Sequence, residues 1–184
     1  MTALDSVVQA LNEGGVIAYP TEAVYGLGCD PDNESAVLAL LAIKQRPVEK
    51  GLILVAANYS QLMPYVDDKA IPLEKRYKIF SSWPGHVSWV LPASQTAPKW
   101  ITGQFDSIAV RVSAHPVVQQ LCSAYGKPLV STSANLSGQP AITDKTVLEQ
   151  KLGAMLAAIV PGALGGATQP SQIRNALTGD IVRS

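Results

Sequence analysis

Ser131-Thr132-Ser133-Ala134-Asn135 follows directly on the apolar run Pro128-Leu129-Val130. A short buried strand ending there delivers three hydroxyls and a carboxamide together, with backbone N–H groups beside them. Small polar side chains and free amides suit phosphate oxygens, and in open α/β sheets the ligand crevice lies outside the carboxyl ends of the strands. Upstream, Lys44-Gln45-Arg46-Pro47 supplies two cations where a helix is expected to end, and Arg46-Pro47 sets an extended exit that can turn both toward one side. Arginine forks phosphate oxygens and lysine acts as a compact point charge, so the pair suits a clamp on a triphosphate. Two solvated cations relieving the helix C-terminal dipole are the plainer alternative. Taken with the hydroxyl cluster, the two segments point to a nucleotide site.

Arg111 sits inside the otherwise apolar stretch Ile108-Ala109-Val110-Arg111-Val112, where a guanidinium needs an anionic partner if it is buried. A ligand carboxylate, a salt bridge to Asp106 or Glu22, and exposure on a solvent-facing edge all satisfy that requirement. His86 and His115 have no acid or cysteine at motif spacing, so they read as surface or loop histidines and support neither a metal site nor a hydrolytic triad. Ser131, Ser133 and Ser137 lack the Gly-x-Ser-x-Gly setting of a strained nucleophile, which argues against covalent serine catalysis. Cys29 and Cys122 match no ligand spacing and argue against a disulfide or a zinc site.

The elements that position these groups follow from periodicity. Leu4, Val7, Val8 and Leu11 recur at helical spacing up to Gly14-Gly15, and Val16 to Tyr19 reads as a buried strand ended by Pro20. Residues 21–28 read as a polar, glycine-containing loop, and 34–43 as a helix behind Asp30-Pro31-Asp32. Further strands are expected at 52–56, 87–91, 108–112, 129–130 and 158–160, and further helices at 59–65, 73–80, 116–124 and 147–156. Residues 172–183 straddle Thr178-Gly179-Asp180 as a hairpin does. Pro161-Gly162 and Gly165-Gly166 mark a turn-rich connection, with a mobile lid as the alternative.

At 184 residues, 47% hydrophobic and 15% charged, the chain is expected to fold as one α/β domain over 1–184 with its own core. Fourteen basic against fourteen acidic residues leave no net charge, so the whole-molecule field gives no drive toward non-specific nucleic-acid binding. Met1-Thr2-Ala3-Leu4-Asp5 has no signal-peptide character and no run approaches a membrane span, which sets a cytoplasmic, non-membrane expectation.

Tyr19-Pro20-Thr21-Glu22-Ala23-Val24-Tyr25-Gly26-Leu27, Lys44-Gln45-Arg46-Pro47 and Ser131-Thr132-Ser133-Ala134-Asn135 resemble, in order, the signature blocks of the YrdC family. Pro170-Ser171-Gln172-Ile173-Arg174 extends the resemblance almost to the end of the chain, and the bacterial single-domain members are the nearest in pattern. The resemblance implies a twisted mixed β-sheet flanked by helices, similar to the RibB-type fold, with a concave basic surface. It implies a synthase that joins L-threonine, bicarbonate and ATP into L-threonylcarbamoyladenylate and pyrophosphate, with Mg²⁺. That product is the first step toward the threonylcarbamoyl group on adenosine 37 of tRNAs reading ANN codons, and the implied recipient is a transferase complex of the TsaB, TsaD and TsaE type. Binding of tRNA or double-stranded RNA is implied as well.

By the same resemblance, Lys44, Arg46, Ser133 and Asn135 hold the ATP phosphates, with Lys44 and Arg46 as the catalytic cations, and Lys50 and Ser171 border the nucleotide. Thr21, Tyr25, Arg111 and Ser131 surround threonine, with Arg111 on its carboxylate and Ser88 as a further contact. No metal ligand is expected from protein side chains. Two positions depart from the family pattern: Pro84-Gly85-His86-Val87-Ser88 stands where Pro-Gly-Pro-x-Thr is frequent, and Gly51 replaces a frequent proline. The rival readings are a carbamoyl-AMP-forming enzyme using carbamoyl phosphate and a non-catalytic RNA-binding module.

Overall fold

The computed structural model describes residues 2–183. Its first helix, α1 (Ala3–Asn12), starts where Thr2 and Asp5 cap one another: Thr2 Oγ1 accepts from the Asp5 N–H at 3.1 Å, and Asp5 Oδ2 accepts from the Thr2 N–H at 2.9 Å. Its buried Val7 and Leu11 pack on Val118, Leu121 and Cys122 of α6 (Pro116–Tyr125), each such aliphatic side chain stabilising the fold by roughly 1.5–3 kcal/mol. Proline in the first turn of α6 and left-handed Gly126 after its end mark that helix's limits.

Between them the chain forms β1 (Ile17–Pro20), β2 (Tyr25–Gly28), α2 (Glu34–Lys44), β3 (Ile53–Ala56), α3 (Tyr59–Leu62), α4 (Leu73–Ser81), β4 (Val87–Pro92), α5 (Lys99–Thr102) and β5 (Ser107–Val112). After α6 come β6 (Leu129–Ser133), α7 (Lys145–Leu152), β7 (Ala158–Ile159), β8 (Gln172–Asn175) and β9 (Ile181–Arg183). The strands make one mixed sheet in the order β7-β1-β2-β6-β3-β5-β4-β8-β9. No helix among the described residues is long and apolar enough to cross a membrane.

Most elements fall within a residue or two of their expected places, and three differ informatively. Residues 25–28 are a fully buried strand, where a loop was expected, because glycine depresses strand propensity. Gly28 is required there by close packing: a Cβ would lie 2.5 Å from Val130 O and 2.7 Å from the Tyr19 ring, whose hydroxyl donates to that same carbonyl at 3.0 Å. Strand β6 runs on to Ser133, so the hydroxyl cluster lies inside it and does not project from its carboxyl end. The helix expected over 147–156 stops at Leu152 and continues as a single tight turn, Gly153–Met155.

Strand pleating decides which residues reach the site. In β5, Ile108, Val110 and Val112 enter the larger core beside α2, and Ser107, Ala109 and Arg111 take the opposite face. In β6, Val130 points to that core while Ser131 and Ser133 share the face of Arg111. The pairing registers then align Ser131, Ile53, Ala109, Val90 and Asn175 as one row across five adjacent strands. That row is the floor of a cavity of about 560 Å³. The crevice therefore lies over the face of the sheet, not outside parallel strand ends, since β6 runs antiparallel to both of its neighbours.

Candidate active site

One wall of the cavity is built by the end of α2. Gln45 is left-handed at φ 53°, and the Arg46 N–H reaches back to Leu41 O at 3.0 Å, which closes the helix and aims the flanking cations at the sheet. Lys44 is 3% exposed, and its Nζ donates to Asn135 Oδ1 at 2.6 Å, Ser133 O at 2.8 Å and Ser133 Oγ at 3.3 Å. Asn135 is fixed in turn, its Nδ2 donating to Gln139 O and its Oδ1 also accepting from Ser133 Oγ at 2.8 Å. All of these acceptors are neutral. Burial, reinforced by the nearby Arg46 charge, pushes the Lys44 ammonium down to about 8.

Arg46 forks Gly51 O from Nε at 3.3 Å and Nη2 at 3.0 Å, and burial lowers its pKa as well. Gly51 presents that carbonyl at φ 73°, a backbone angle the proline ring forbids. Exposed Lys50 stands at the rim.

Across the floor, Arg111 is 5% exposed and its Nη1 lies 3.4 Å from Glu22 Oε2 and 3.2 Å from His86 Nδ1. Of the partners left open by the sequence, the protein itself supplies Glu22. Ser113 Oγ donates to the same carboxylate oxygen at 3.1 Å. Burial works to raise the Glu22 carboxyl, but the donors around it, the Arg111 guanidinium among them, outweigh burial and hold the group down at about 2. Arg111 Nε, Glu22 Oε1 and Thr102 Oγ1 are buried with no hydrogen-bond partner among the described residues.

The outer wall is the hairpin β8–β9. Arg183 donates to Ser171 O from Nη2 at 2.8 Å and to Ser171 Oγ at 3.1 Å, and Ser171 Oγ also pairs with Ser88 Oγ at 3.0 Å. Burial, together with the charges of Arg111 and Arg46, lowers the Arg183 pKa. The wall thus carries Lys44, Arg46, Lys50, Arg111 and Arg183 and no carboxylate among its described lining residues. A cavity of this size and sign suits a polyanion, and the ordered hydroxyls and amides between the cations add directional donors and acceptors.

Of the expected site residues, Thr21, Lys44, Arg46, Lys50, Arg111, Ser131, Ser133 and Ser171 line this cavity, and Asn135 reaches it through Lys44. Thr21 Oγ1 donates to Val24 O at 2.6 Å within its own turn. Tyr25 packs in the core beside α2, and fully buried Ser88 lies behind Ser171; neither is on the wall. Both histidines lie in loops, as expected, but neither is idle there. His115 is a buried N-cap accepting from the Val117 N–H at 3.1 Å, and His86 is on the cavity wall. Arg183, Thr102 and His86 are wall residues that sequence reasoning did not select. Glu22 enters the site as the structural partner of Arg111 that the sequence offers.

The Sua5/YciO/YrdC family model, described as "Telomere recombination", matches residues 9–184. The threonylcarbamoyl-AMP synthase of Yersinia enterocolitica is 62% identical over 181 residues, covering 98% of this chain and 95% of that protein. The threonylcarbamoyl-AMP synthase of Escherichia coli O1:K1 is 58% identical with the same coverage. Among solved structures, Pyrococcus abyssi Sua5 complexed with L-threonine superposes with a TM-score of 0.86 at 31% identity, over 94% of this chain and 50% of that one, so this chain spans about half of Sua5. With these matches running nearly from end to end, the chain belongs to the Sua5/YciO/YrdC family.

Proposed function

We propose that this protein is an L-threonylcarbamoyladenylate synthase working in the cytoplasm on L-threonine, bicarbonate and ATP. The observation that carries the reading is the division of the cavity into two anion-binding ends on one sheet face. Lys44 and Arg46 form a cationic end suited to a triphosphate, and Arg111, with Arg183 on the β9 side of it, forms a separate anchor suited to an amino-acid carboxylate. Relatives at 56–62% identity that carry this activity in their names support it.

The chemistry needs placement more than covalent catalysis. The amine of threonine, once neutral, adds to the carbon of bicarbonate with loss of water to give a carbamate. A carbamate oxygen then attacks the α-phosphorus, the bond from that phosphorus to the bridging oxygen breaks, and pyrophosphate leaves with the electron pair. Lys44 and Arg46 neutralise charge on the departing phosphates, Ser133 and Asn135 hold Lys44, and Lys50 and Ser171 border the nucleotide. Arg111 takes the threonine carboxylate beside Thr21 and Ser131.

Mg²⁺ enters as part of the nucleotide substrate, bound through phosphate oxygens. The wall offers hydroxyls, amides and cations, and the described residues contain no group of three or more His, Cys, Asp or Glu suited to a metal. The adenylate passes to a transferase complex of the TsaB, TsaD and TsaE type acting on tRNA.

The test is pyrophosphate release from MgATP and bicarbonate with L-threonine, L-serine, carbamoyl phosphate or no addition, the nucleotide product being identified by mass. Threonine-dependent release of threonylcarbamoyladenylate is expected. Release driven by carbamoyl phosphate instead would assign the carbamoyl-transfer reaction, and RNA binding without any release would leave a binding module.

A further inference from the structure

We infer that His86 is a positioning residue for Arg111, fixing its guanidinium for an amino-acid carboxylate and tying that anchor to residues 161–171 beside the cavity. The inference rests on the synthase reading and adds a residue to its threonine end.

The hydrogen-bond network selects one form of the imidazole. His86 Nε2 lies 2.8 Å from Gln169 O, and a carbonyl only accepts, so Nε2 carries the proton. Nδ1 of the neutral ring is then a bare acceptor, 3.2 Å from Arg111 Nη1, which only donates. Glu22 Oε2 approaches the same Nη1 at 3.4 Å and stands 3.7 Å from His86 Nδ1. Nη1 is therefore gripped by one neutral and one anionic acceptor. Nε has no acceptor among the described residues, which leaves the Nε and Nη2 edge as the fork for an incoming carboxylate.

The other ring nitrogen engages a segment already stitched to the threonine end. The Gly165 N–H donates to Thr21 O at 2.9 Å and the Ala167 N–H to Glu22 O at 3.1 Å, while His115 Nε2 holds Ala163 O at 2.9 Å. The bond from His86 to Gln169 is the stitch nearest to Ser171 on the cavity wall. One imidazole thus spans from the carboxylate anchor to the chain that carries Ser171.

The experiment is steady-state kinetics of threonine-dependent pyrophosphate release on the full chain, with threonine and ATP varied separately, for wild type, His86→Ala, His86→Asn and His86→Gln. An arginine set free from one partner regains rotamer freedom, so His86→Ala should raise the KM for threonine about tenfold and change that for ATP by less than about twofold. The Asn carboxamide oxygen falls near the place of Nδ1, and His86→Asn should recover the threonine KM to within about threefold of wild type. The longer Gln reaches Gln169 O but leaves Arg111 without its acceptor, and should stay with the alanine variant.

An unchanged threonine KM in His86→Ala, equal rises for both substrates, or rescue by Gln as good as by Asn would each overturn the assignment. Wild type that releases no pyrophosphate with threonine would instead defeat the synthase reading. Calorimetric threonine affinities of the same four chains would then decide His86, the same order of variants sustaining it and equal affinities refuting it.

Discussion

Lys44 is a buried ammonium held, among the described residues, by neutral oxygens, and its depression to about 8 makes nucleotide binding a protonation event. A phosphate oxygen replacing or joining these acceptors at ~4 Å stabilises the charged form by about 4 kcal/mol at an effective dielectric of about 20, equivalent to about three pK units. The bound lysine is then fully charged, so the complex takes up the proton that the free protein lacks. With a free value near 8, that is about half a proton at pH 8, about a tenth at pH 7 and about nine-tenths at pH 9. Calorimetric titration of ATP in two buffers of different ionisation enthalpy reads the number directly. The sign follows: above pH 8 the affinity for ATP should fall about tenfold per pH unit, since each binding event must first recharge Lys44. Lys44→Met should abolish both the uptake and the slope. Zero uptake at pH 8 to 9, or an affinity flat across that range, would refute the reasoning.

Arg183→Ala should raise the threonine KM by about 10-fold, through loss of the second cation on the Arg111 side of the cavity, and shift the ATP KM much less; equal shifts in separate KM measurements would count against its place there. Gln45→Gly removes the strain of a left-handed non-glycine residue and should stabilise the fold by about 1 kcal/mol, raising Tm by about 2–4 °C in a thermal scan. The Glu22 carboxyl, held at about 2 against an ordinary 4.5, contributes stability that is complete above pH 4.5 and lost as pH falls through about 2. Glu22→Gln should flatten that acid limb in denaturant titrations, and a profile matching wild type below pH 4.5 would contradict the linkage.

The parts legible in the sequence are those written locally. Helices α1 and α6 show their apolar spacing and caps, the β8–β9 hairpin shows its turn, and the Lys44 and Ser131 segments each carry several polar groups within five residues. Arg111 could be flagged as anomalous but not assigned a partner. Ala109 and Ile53, its neighbours on the cavity face, are apolar too, so the period-two alternation that gives its direction is hidden. Strand β2 was missed because the glycines that permit close packing against Tyr19 and Val130 look like loop residues in isolation. Arg183 and His86 have no local signal at all. The parallel pairing of β4 with β8 brings Ser88 opposite Ile173, and with it His86 toward Gln169 and Arg183 onto Ser171.

The bonds from Lys44 to Ser133 and Asn135, from Arg111 and Ser113 to Glu22, and from His86 to Gln169 each join residues between 83 and 91 positions apart. Chain closure over such distances comes late and slowly, after local helices and turns have formed. During refolding, helical signal should therefore return before any ability to turn over substrate, and recovered activity marks the closing of the whole sheet.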